Sequence, residues 1–141
     1  MSDPTFGFSI QRIDNEPRPP VASDMSVVGI IGTAADADAA TFPLNTPVFL
    51  YSDEATKLTA LGVAGTLRDA ITLVGSQLGS FQVAAKVVVV RVEDGADAAG
   101  TIANIVGDGV STGLSALLNA GAELGVIPRL LCAPGFTSQR T

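Results

Sequence analysis

The sequence predicts an α/β fold with a mostly parallel sheet and flanking helices, preceded by an extended amino-terminal arm. After residue 25, apolar runs rich in valine and isoleucine alternate with segments of helical periodicity, and short links join them. Runs without a polar face are typical of parallel strands, which are buried on both sides. We therefore divide the chain into an arm, residues 1–24, and an α/β domain, residues 25–141.

The arm is distinguished by its prolines and by a short alternating pattern. Phe6, Phe8 and Ile10 alternate with small or polar residues, which is the period of a strand with one apolar face. The segment EPRPP, Glu16 to Pro20, excludes a regular helix or central strand, because proline lacks an N–H and biases the preceding residue to extended geometry. The arm is thus predicted to be a strand on a stiff tether.

Two destinations are open to this strand. It could fold back onto its own sheet, or it could add to the open edge of a neighbouring subunit. We favour the neighbour, because the tether both separates and extends the strand. The candidate subunit-contact residues are Phe6, Phe8, Ile10 and Ile13.

The domain opens with two predicted strands and a short helix. SVVGIIG, Ser26 to Gly32, is apolar on both faces, and VFLY, Val48 to Tyr51, follows Pro47, a residue tolerated at a strand edge. Ser52 is expected to cap the short helix, with acidic residues in its positively polarised first turn. Gly62 is expected to end that helix.

A second helix and a third strand follow. Thr66 is a suitable N-cap, with Asp69 three positions later. The apolar residues of this helix recur on one face and are Leu67, Ala70, Ile71, Val74 and Leu78. KVVVVRV, Lys86 to Val92, is predicted to be the third strand. The polar turn after it opens a third helix, whose apolar residues are Ile102, Ile105 and Val106 and which Gly107 ends.

The last predicted elements are a fourth helix and a fourth strand. Thr112 is expected to cap GLSALLNAGAEL, and Gly125 to stop it, with Pro128 preventing its resumption. The leucines expected to share one face of this helix are Leu114, Leu117, Leu118 and Leu124. RLLCA, Arg129 to Ala133, is the fourth strand. The alternation of strands and helices with short links predicts the α/β layer.

Charge and hydropathy exclude two classes of partner. The formal net charge is −6 and the basic residues are scattered along the chain, so we expect no binding to nucleic acid. No apolar run approaches the ~20 residues of a spanning helix. The amino terminus also lacks the pattern of a secretory signal. We expect a soluble protein that is made in a cytoplasm.

The composition also argues against catalysis. The sequence contains no histidine, which removes the commonest general base and metal ligand. Cys132 is the single cysteine, so neither an internal disulfide nor a cysteine cluster for zinc is possible. We expect no enzyme, no cofactor, no metal and no catalytic residue.

Several residues could form chemical sites, but their sequence context favours structural roles. Gly29 and Gly32 form G-x-x-G rather than a dinucleotide fingerprint, and are interpreted as small residues where a buried strand ends. Asp36 with Asp38, and Asp94 with Asp97, are interpreted as solvated turn residues, because a calcium loop needs more ligands. The alternative function, a doubly wound cytoplasmic nucleotide-binding domain or enzyme, would require ligand groups from elsewhere.

Structural roles are also expected for three further side chains. Lys86 is expected to extend to solvent from the end of its strand rather than act as a reactive amine. Cys132, in an apolar strand, is expected to be an inert thiol. Arg91 is expected to lie at the rim of the sheet or to form a structural ion pair.

The order of landmarks resembles that of the tail sheath proteins of contractile-tailed bacteriophages and of phage-tail-like bacteriocins. The matching stretches cover nearly the whole chain and are GFSIQRID, VVGIIGTAADADAATFPLNTPVFL, GTLRDAI, VVVVRVEDG and TGLSALLNAGAELGVIPRLLCAPGF. The most specific are TFPLNTPV and the last stretch.

The resemblance implies a structural protein of the virion that is assembled in the host cytoplasm. Its partners would be other copies of itself, in hexameric rings stacked helically around the tail tube, together with the tube protein and the baseplate. Neighbouring subunits would exchange terminal arms, and shortening of the lattice would drive the tube through the host envelope. Because sheath proteins are longer than this chain, we expect it to be the amino-terminal portion of a sheath domain.

Overall fold

The structure is a computed structural model that describes residues 26–78, 81 and 83–137. Four strands form one sheet, and helices lie on both of its faces. The strands are β1 Val27–Thr33, β2 Pro47–Tyr51, β3 Lys86–Val92 and β4 Leu130–Cys132. The helices are α1 Ala55–Ala60, α2 Leu67–Leu78, α3 Ala98–Val106 and α4 Ala120–Leu124, with a 3₁₀ helix, Gly113–Asn119, before α4.

The order of strands in the sheet is β2-β3-β1-β4. β1 pairs in parallel with both β3 and β4, whereas β2 is antiparallel to β3. The predicted α/β fold with a mostly parallel sheet is therefore confirmed. The central strands carry the runs without a polar face, as expected for strands covered on both sides.

The first layer consists of α1 and α2 and covers one face of the sheet. Leu67, Ala70 and Ile71 of α2 are buried against this face, and Val74 and Leu78 pack at its margin. The strands contribute alternate residues, because successive side chains point to opposite faces. The strand residues in this core include Ile30, Leu50, Val87 and Val89.

The second layer consists of α3, the 3₁₀ helix and α4, and it packs closely through small side chains. Ala116, Leu117 and Ala120 are buried in one cluster with Val88 and Val90 of β3. Gly113 is also buried and lies against the backbone at the end of α3. Small residues at the contact allow the backbone of the helical layer to approach the sheet closely.

The predicted leucine face of the fourth helix is wrong. Leu117 is buried and Leu124 is partly buried, but Leu114 and Leu118 are 45% and 79% exposed. The first seven residues form a 3₁₀ helix, whose tighter turn changes which side chains face the sheet. The buried residues of this segment are Gly113, Ala116, Leu117 and Ala120, so the face that packs consists mainly of alanine and glycine.

Ser52 does not cap α1, which corrects a second prediction. The residue before α1 is Glu54, and it makes no side-chain capping bond. The Ser52 hydroxyl instead accepts the N–H of Ala85 at 2.9 Å, and the Ser52 N–H donates to the Ala85 carbonyl at 3.0 Å. Ser52 is buried, so its hydroxyl requires a partner, and it joins the end of β2 to the start of β3.

Thr66 lies directly before α2, as predicted, and joins this helix to β1. Its N–H donates to the Thr33 carbonyl at 2.9 Å, and its hydroxyl accepts the Thr33 N–H at 3.4 Å. The preceding Gly65 has φ +96, and a Cβ at this position would overlap the Thr33 carbonyl. Only glycine fits this close approach of two backbones.

The loop between β1 and β2 is held by Asn45, which has a positive φ of 53. Its N–H donates to the Arg91 carbonyl at 2.8 Å, and its side-chain oxygen accepts the Gly113 N–H at 2.9 Å. One residue of the stretch TFPLNTPV therefore links the loop to β3 and to the 3₁₀ helix.

The predicted arm, residues 1–24, lies outside the described residues, as do its candidate contacts Phe6, Phe8, Ile10 and Ile13. Among the helices that the structure describes, none has the length and apolar character required to cross a membrane.

Candidate functional site

The aspartates between β1 and β2 stabilise a turn. Asp38 accepts hydrogen bonds from the Thr41 hydroxyl at 2.6 Å, the Thr41 N–H at 3.2 Å and the Ala40 N–H at 3.3 Å. These bonds, led by the Thr41 hydroxyl, hold the pKa of Asp38 below its ordinary value. Asp36 is an exposed neighbour. This confirms the interpretation of both as turn residues.

The second aspartate pair fixes the start of α3. Asp97 is the N-cap and accepts the Gly100 N–H at 2.7 Å, while Asp94 accepts the buried Thr101 hydroxyl at 3.0 Å. An aspartate at this position satisfies a backbone N–H that has no partner within the helix. Within the described ranges, no group of three or more aspartate, glutamate or cysteine side chains is arranged to hold a metal ion.

Side chains of the protein itself fill the space beside the two glycines of β1. A Cβ on Gly29 would lie 2.7 Å from Leu131, and one on Gly32 would lie 2.5 Å from the Thr66 hydroxyl. A phosphate-binding glycine loop instead leaves its backbone open to the ligand. These contacts support the interpretation of the glycines as sites of close packing and give no support to nucleotide binding.

The environments of Lys86 and Cys132 agree with their predictions. Lys86 is exposed at the end of β3. Cys132 is partly buried, and burial raises the pKa of its thiol, which disfavours the reactive thiolate. Arg91 differs from the expected ion pair, because its guanidinium donates to the Ala37 carbonyl at 2.8 Å. A backbone carbonyl meets the need of a partly buried guanidinium for an acceptor.

A broad groove of about 1150 Å³ runs between β2, the amino ends of β1 and β3, and the end of α4. Three of the eight basic residues of the sequence line it, Lys57, Lys86 and Arg129, with one acidic residue, Glu123. Its apolar lining includes Phe49 and Tyr51. The groove is therefore basic on a chain whose formal net charge is −6.

The outer edge of β2 is occupied by side chains of α1. The ammonium of Lys57 donates to the Phe49 carbonyl at 2.8 Å, and the carboxylate of Glu54 accepts the Tyr51 N–H at 3.4 Å. Lys57 and Glu54 also form an ion pair at 3.4 Å. Pro47, at the start of β2, has no N–H to offer. Further strand pairing at this edge is thus obstructed.

The outer edge of β4 differs, because no described residue pairs with it. Leu130 and Leu131 are 51% and 47% exposed. An apolar recess of about 290 Å³ adjoins this strand, with Leu131, Val106 and Leu114 in its lining. An exposed apolar edge of this kind is a common place for contact with another polypeptide segment.

Sequence reasoning missed both the groove and the open edge. The residues that form the groove are scattered from Ser26 to Arg129, so no local pattern joins them. A signal for the open edge was present in the leucines of the 3₁₀ helix, which are more numerous than its buried face requires. The helical spacing in the sequence places Leu114, Leu117, Leu118 and Leu124 on one face of the predicted helix.

The polar residues described above fix turns and helix ends, and the open positions are an edge strand, an apolar recess and a groove. These features are typical of a structural protein that assembles with other polypeptides. No family model matches the chain.

Comparison with curated proteins confirms the resemblance found in the sequence. The chain is 36% identical over 149 aligned residues to the tail sheath protein of Escherichia phage P2, an alignment that covers 99% of the chain and 36% of that protein. It is 35% identical over 120 residues to the major tail sheath protein of Serratia phage KSP20, which covers 82% of the chain and 30% of that protein. The chain is thus a relative of phage tail sheath proteins, and it spans about a third of their length.

Proposed function

We propose that this chain is a structural part of a contractile tail sheath and that it acts by assembling with other copies of itself. The observation that carries the proposal is the 36% identity with the tail sheath protein of phage P2, which extends over 99% of the chain. Because the chain spans 36% of that protein, the activity and partners of an intact sheath protein form part of the proposal.

The proposed partners are copies of the chain in hexameric rings, stacked helically around a tail tube, with the tube protein and a baseplate as further contacts. The protein is a component of the virion and is assembled in the host cytoplasm. It acts without a catalytic residue, cofactor or metal, and without binding nucleic acid or membrane. Contraction releases free energy stored in the extended lattice, with no nucleotide hydrolysed.

A sheath subunit must keep its shape while its neighbours move, and the described contacts support this requirement. Ser52 joins β2 to β3, Thr66 joins α2 to β1, and Asn45 joins a loop to the second helical layer. Each bond connects elements that are distant in sequence, so each resists movement of those elements relative to one another. Two buried cores, one on each face of the sheet, add to this rigidity.

The arm, residues 1–24, supplies the contact between subunits in this proposal. Donation of a strand from one subunit to the next is a heterologous contact, which propagates into open helical arrays. The apolar face of the donated strand carries the specificity, and main-chain hydrogen bonds contribute affinity. The proposed contact residues of the arm are Phe6, Phe8 and Ile10 of this face, together with Ile13.

The test removes residues 1–23 from the intact sheath protein that contains this sequence. We expect the variant to remain folded by circular dichroism but to form no sheath tubes in negative-stain electron micrographs. Tubes of normal length from the deleted protein would overturn the role of the arm.

Two matched double variants test whether assembly depends on the apolar face of the arm strand or only on the presence of the strand. Replacement of Phe6 and Phe8 by serine is expected to abolish tubes, because it removes the apolar face. Replacement of Ser9 and Gln11 by alanine changes the opposite face and is expected to leave tubes intact. Equal effects of the two pairs would contradict the assigned face.

A further inference from the structure

One row of residues crosses the floor of the groove at the amino end of the parallel strands. Lys86 of β3 lies opposite Tyr51 of β2 on one side and Val27 of β1 on the other. The Arg129 N–H donates to the Val27 carbonyl at 3.3 Å, which extends the row to the start of β4. The chain enters the sheet at this row, since Ser26 also lines the groove.

The β2 side of the groove has an aromatic and proline-rich lining. The rings of Phe49 and Tyr51 meet edge to face, with centroids 5.1 Å apart, and Tyr51 is 43% exposed. Pro43 and Pro47 lie along the same wall. Grooves of aromatic and apolar residues are the usual sites for polyproline II segments, which are pre-ordered and lose little entropy on docking.

Two cations of the groove, Lys86 and Arg129, are available to a ligand. Of the basic residues in the described ranges, Arg68 and Arg91 donate to backbone carbonyls and Lys57 pairs with Glu54. Lys86 and Arg129 form no ion pair within those ranges. A suitable occupant therefore carries negative charge next to a proline-rich stretch.

We propose that the chain's own segment DNEPRPP, residues 14–20, docks in this groove as a polyproline II helix. Pro17 and Pro20 have the P-x-x-P spacing that places two rings on one side of such a helix, here against Phe49 and Tyr51. Asp14 and Glu16 of the segment face the cations of the groove. Arg18 pairs with Glu123.

The connection is long enough for docking within one chain. Five residues separate Pro20 from Ser26, so the link spans up to about 19 Å in extended geometry. Tyr51 and Val27 are two strand positions apart in the row, or roughly 10 Å. A docked tether would leave residues 1–13 to project from a fixed point on the body. The proposal concerns this chain's own fold and does not depend on the sheath function.

The experiment measures the distance from the segment to the groove in the whole 141-residue chain. A nitroxide is attached to Ile127→Cys in a Cys132→Ser background, because Ile127 lines the groove and is 64% exposed. In the ¹⁵N-labelled protein, the amide signals of Glu16, Arg18 and Val21 are expected to be lost with the nitroxide and to return on its reduction. Retention of these signals would overturn the proposal.

Two controls test whether the signal loss is specific to the groove and whether the docked segment belongs to the same chain. A nitroxide at Ala96→Cys, an exposed position beyond the opposite end of β3, is expected to leave the three signals largely intact. In a mixture of ¹⁵N-labelled chains with unlabelled chains that carry the nitroxide, the signals are expected to remain. Their loss in the mixture would place the segment of a second copy in the groove and overturn docking within one chain.

Charge reversal tests the ionic part of the proposal. Lys86→Glu with Arg129→Glu is expected to lower the ratio of docked to undocked segment by about tenfold, since two attractive pairs become repulsive. Adding Asp14→Lys and Glu16→Lys is expected to restore docking. Failure of this restoration, in a variant whose other amide signals are unchanged, would overturn the assigned charge contacts.

Discussion

The two edges of the sheet are built differently. At β2, the chain obstructs its own edge through Pro47, Lys57 and Glu54, and Leu50 anchors the strand in the core. At β4, three residues pair with β1 on one side, and their leucines are about half exposed. Among the residues that the structure describes, side chains of the chain itself obstruct the β2 edge, whereas no strand pairs with the outer edge of β4.

The largest expected effect is a difference in the free energy of unfolding between two leucine-to-alanine variants, one in each edge strand. Leu50→Ala removes a fully buried side chain of β2 and is expected to lower the free energy of unfolding by about 2–5 kcal/mol. Leu130→Ala removes a half-exposed side chain of β4 and is expected to cost about 1 kcal/mol or less. Urea titration monitored by circular dichroism measures both. Equal costs would mean that β4 is as well anchored as β2.

The next effect concerns the obstruction of β2. Lys57→Met keeps the aliphatic stem but removes the hydrogen bond to the Phe49 carbonyl and the ion pair with Glu54. Because Lys57 is about a third exposed, the expected loss is about 1 kcal/mol in the free energy of unfolding. Lys86→Met is the matched control and is expected to change stability by less than about 0.5 kcal/mol. An equal change in the free energy of unfolding of both variants would contradict a stabilising role of the Lys57 hydrogen bond and ion pair.

The strand framework was predictable from sequence, because it depends on local pattern. The third strand, Lys86–Val92, has the predicted bounds. The second strand differs by one residue at its start, and the first and fourth differ by one residue at each end. Buried β-branched runs and the prolines and glycines that bound them are local signals. They determine where strands begin and end without reference to the rest of the fold.

The failures arose where distant residues compete with local rules. Ser52 bonds to Ala85, which lies 33 positions away, instead of capping the adjacent helix. The leucine face was wrong because the 3₁₀ helix packs through Ala116 and Gly113. The groove could not be predicted, since its floor joins residues of three strands with Arg129, just before β4, and these meet only in the folded sheet.

A smaller effect is expected from a charge on the open edge. Leu130→Lys is expected to reduce concentration-dependent association of the chain while changing the free energy of unfolding by about 0.5 kcal/mol or less. Val63→Lys, at a 73% exposed apolar site between α1 and α2, is the matched control and is expected to leave association unchanged. Analytical ultracentrifugation over a range of concentrations measures the difference. Equal reductions would show that any exposed apolar residue replaced by lysine lowers association, and that the β4 edge has no special part in it.

The smallest effect is expected from a comparison of two carboxylate turns. Asp108, before the 3₁₀ helix, accepts the N–H groups of Thr112, Val110 and Ser111 at 2.9 Å each, and these bonds lower its pKa below the ordinary value of 3.8. Asp38, between β1 and β2, has fewer backbone donors.

A carboxyl whose pKa is lower in the folded state contributes stability above its unfolded pKa, and this contribution disappears as the pH falls through the folded value. Asp108→Asn is therefore expected to flatten the loss of stability below pH 3.8, and to do so more than Asp38→Asn. Urea titrations at several pH values from 7 downwards measure the slopes. An unchanged slope in Asp108→Asn would mean that the carboxylate of Asp108 does not stabilise the turn before the 3₁₀ helix.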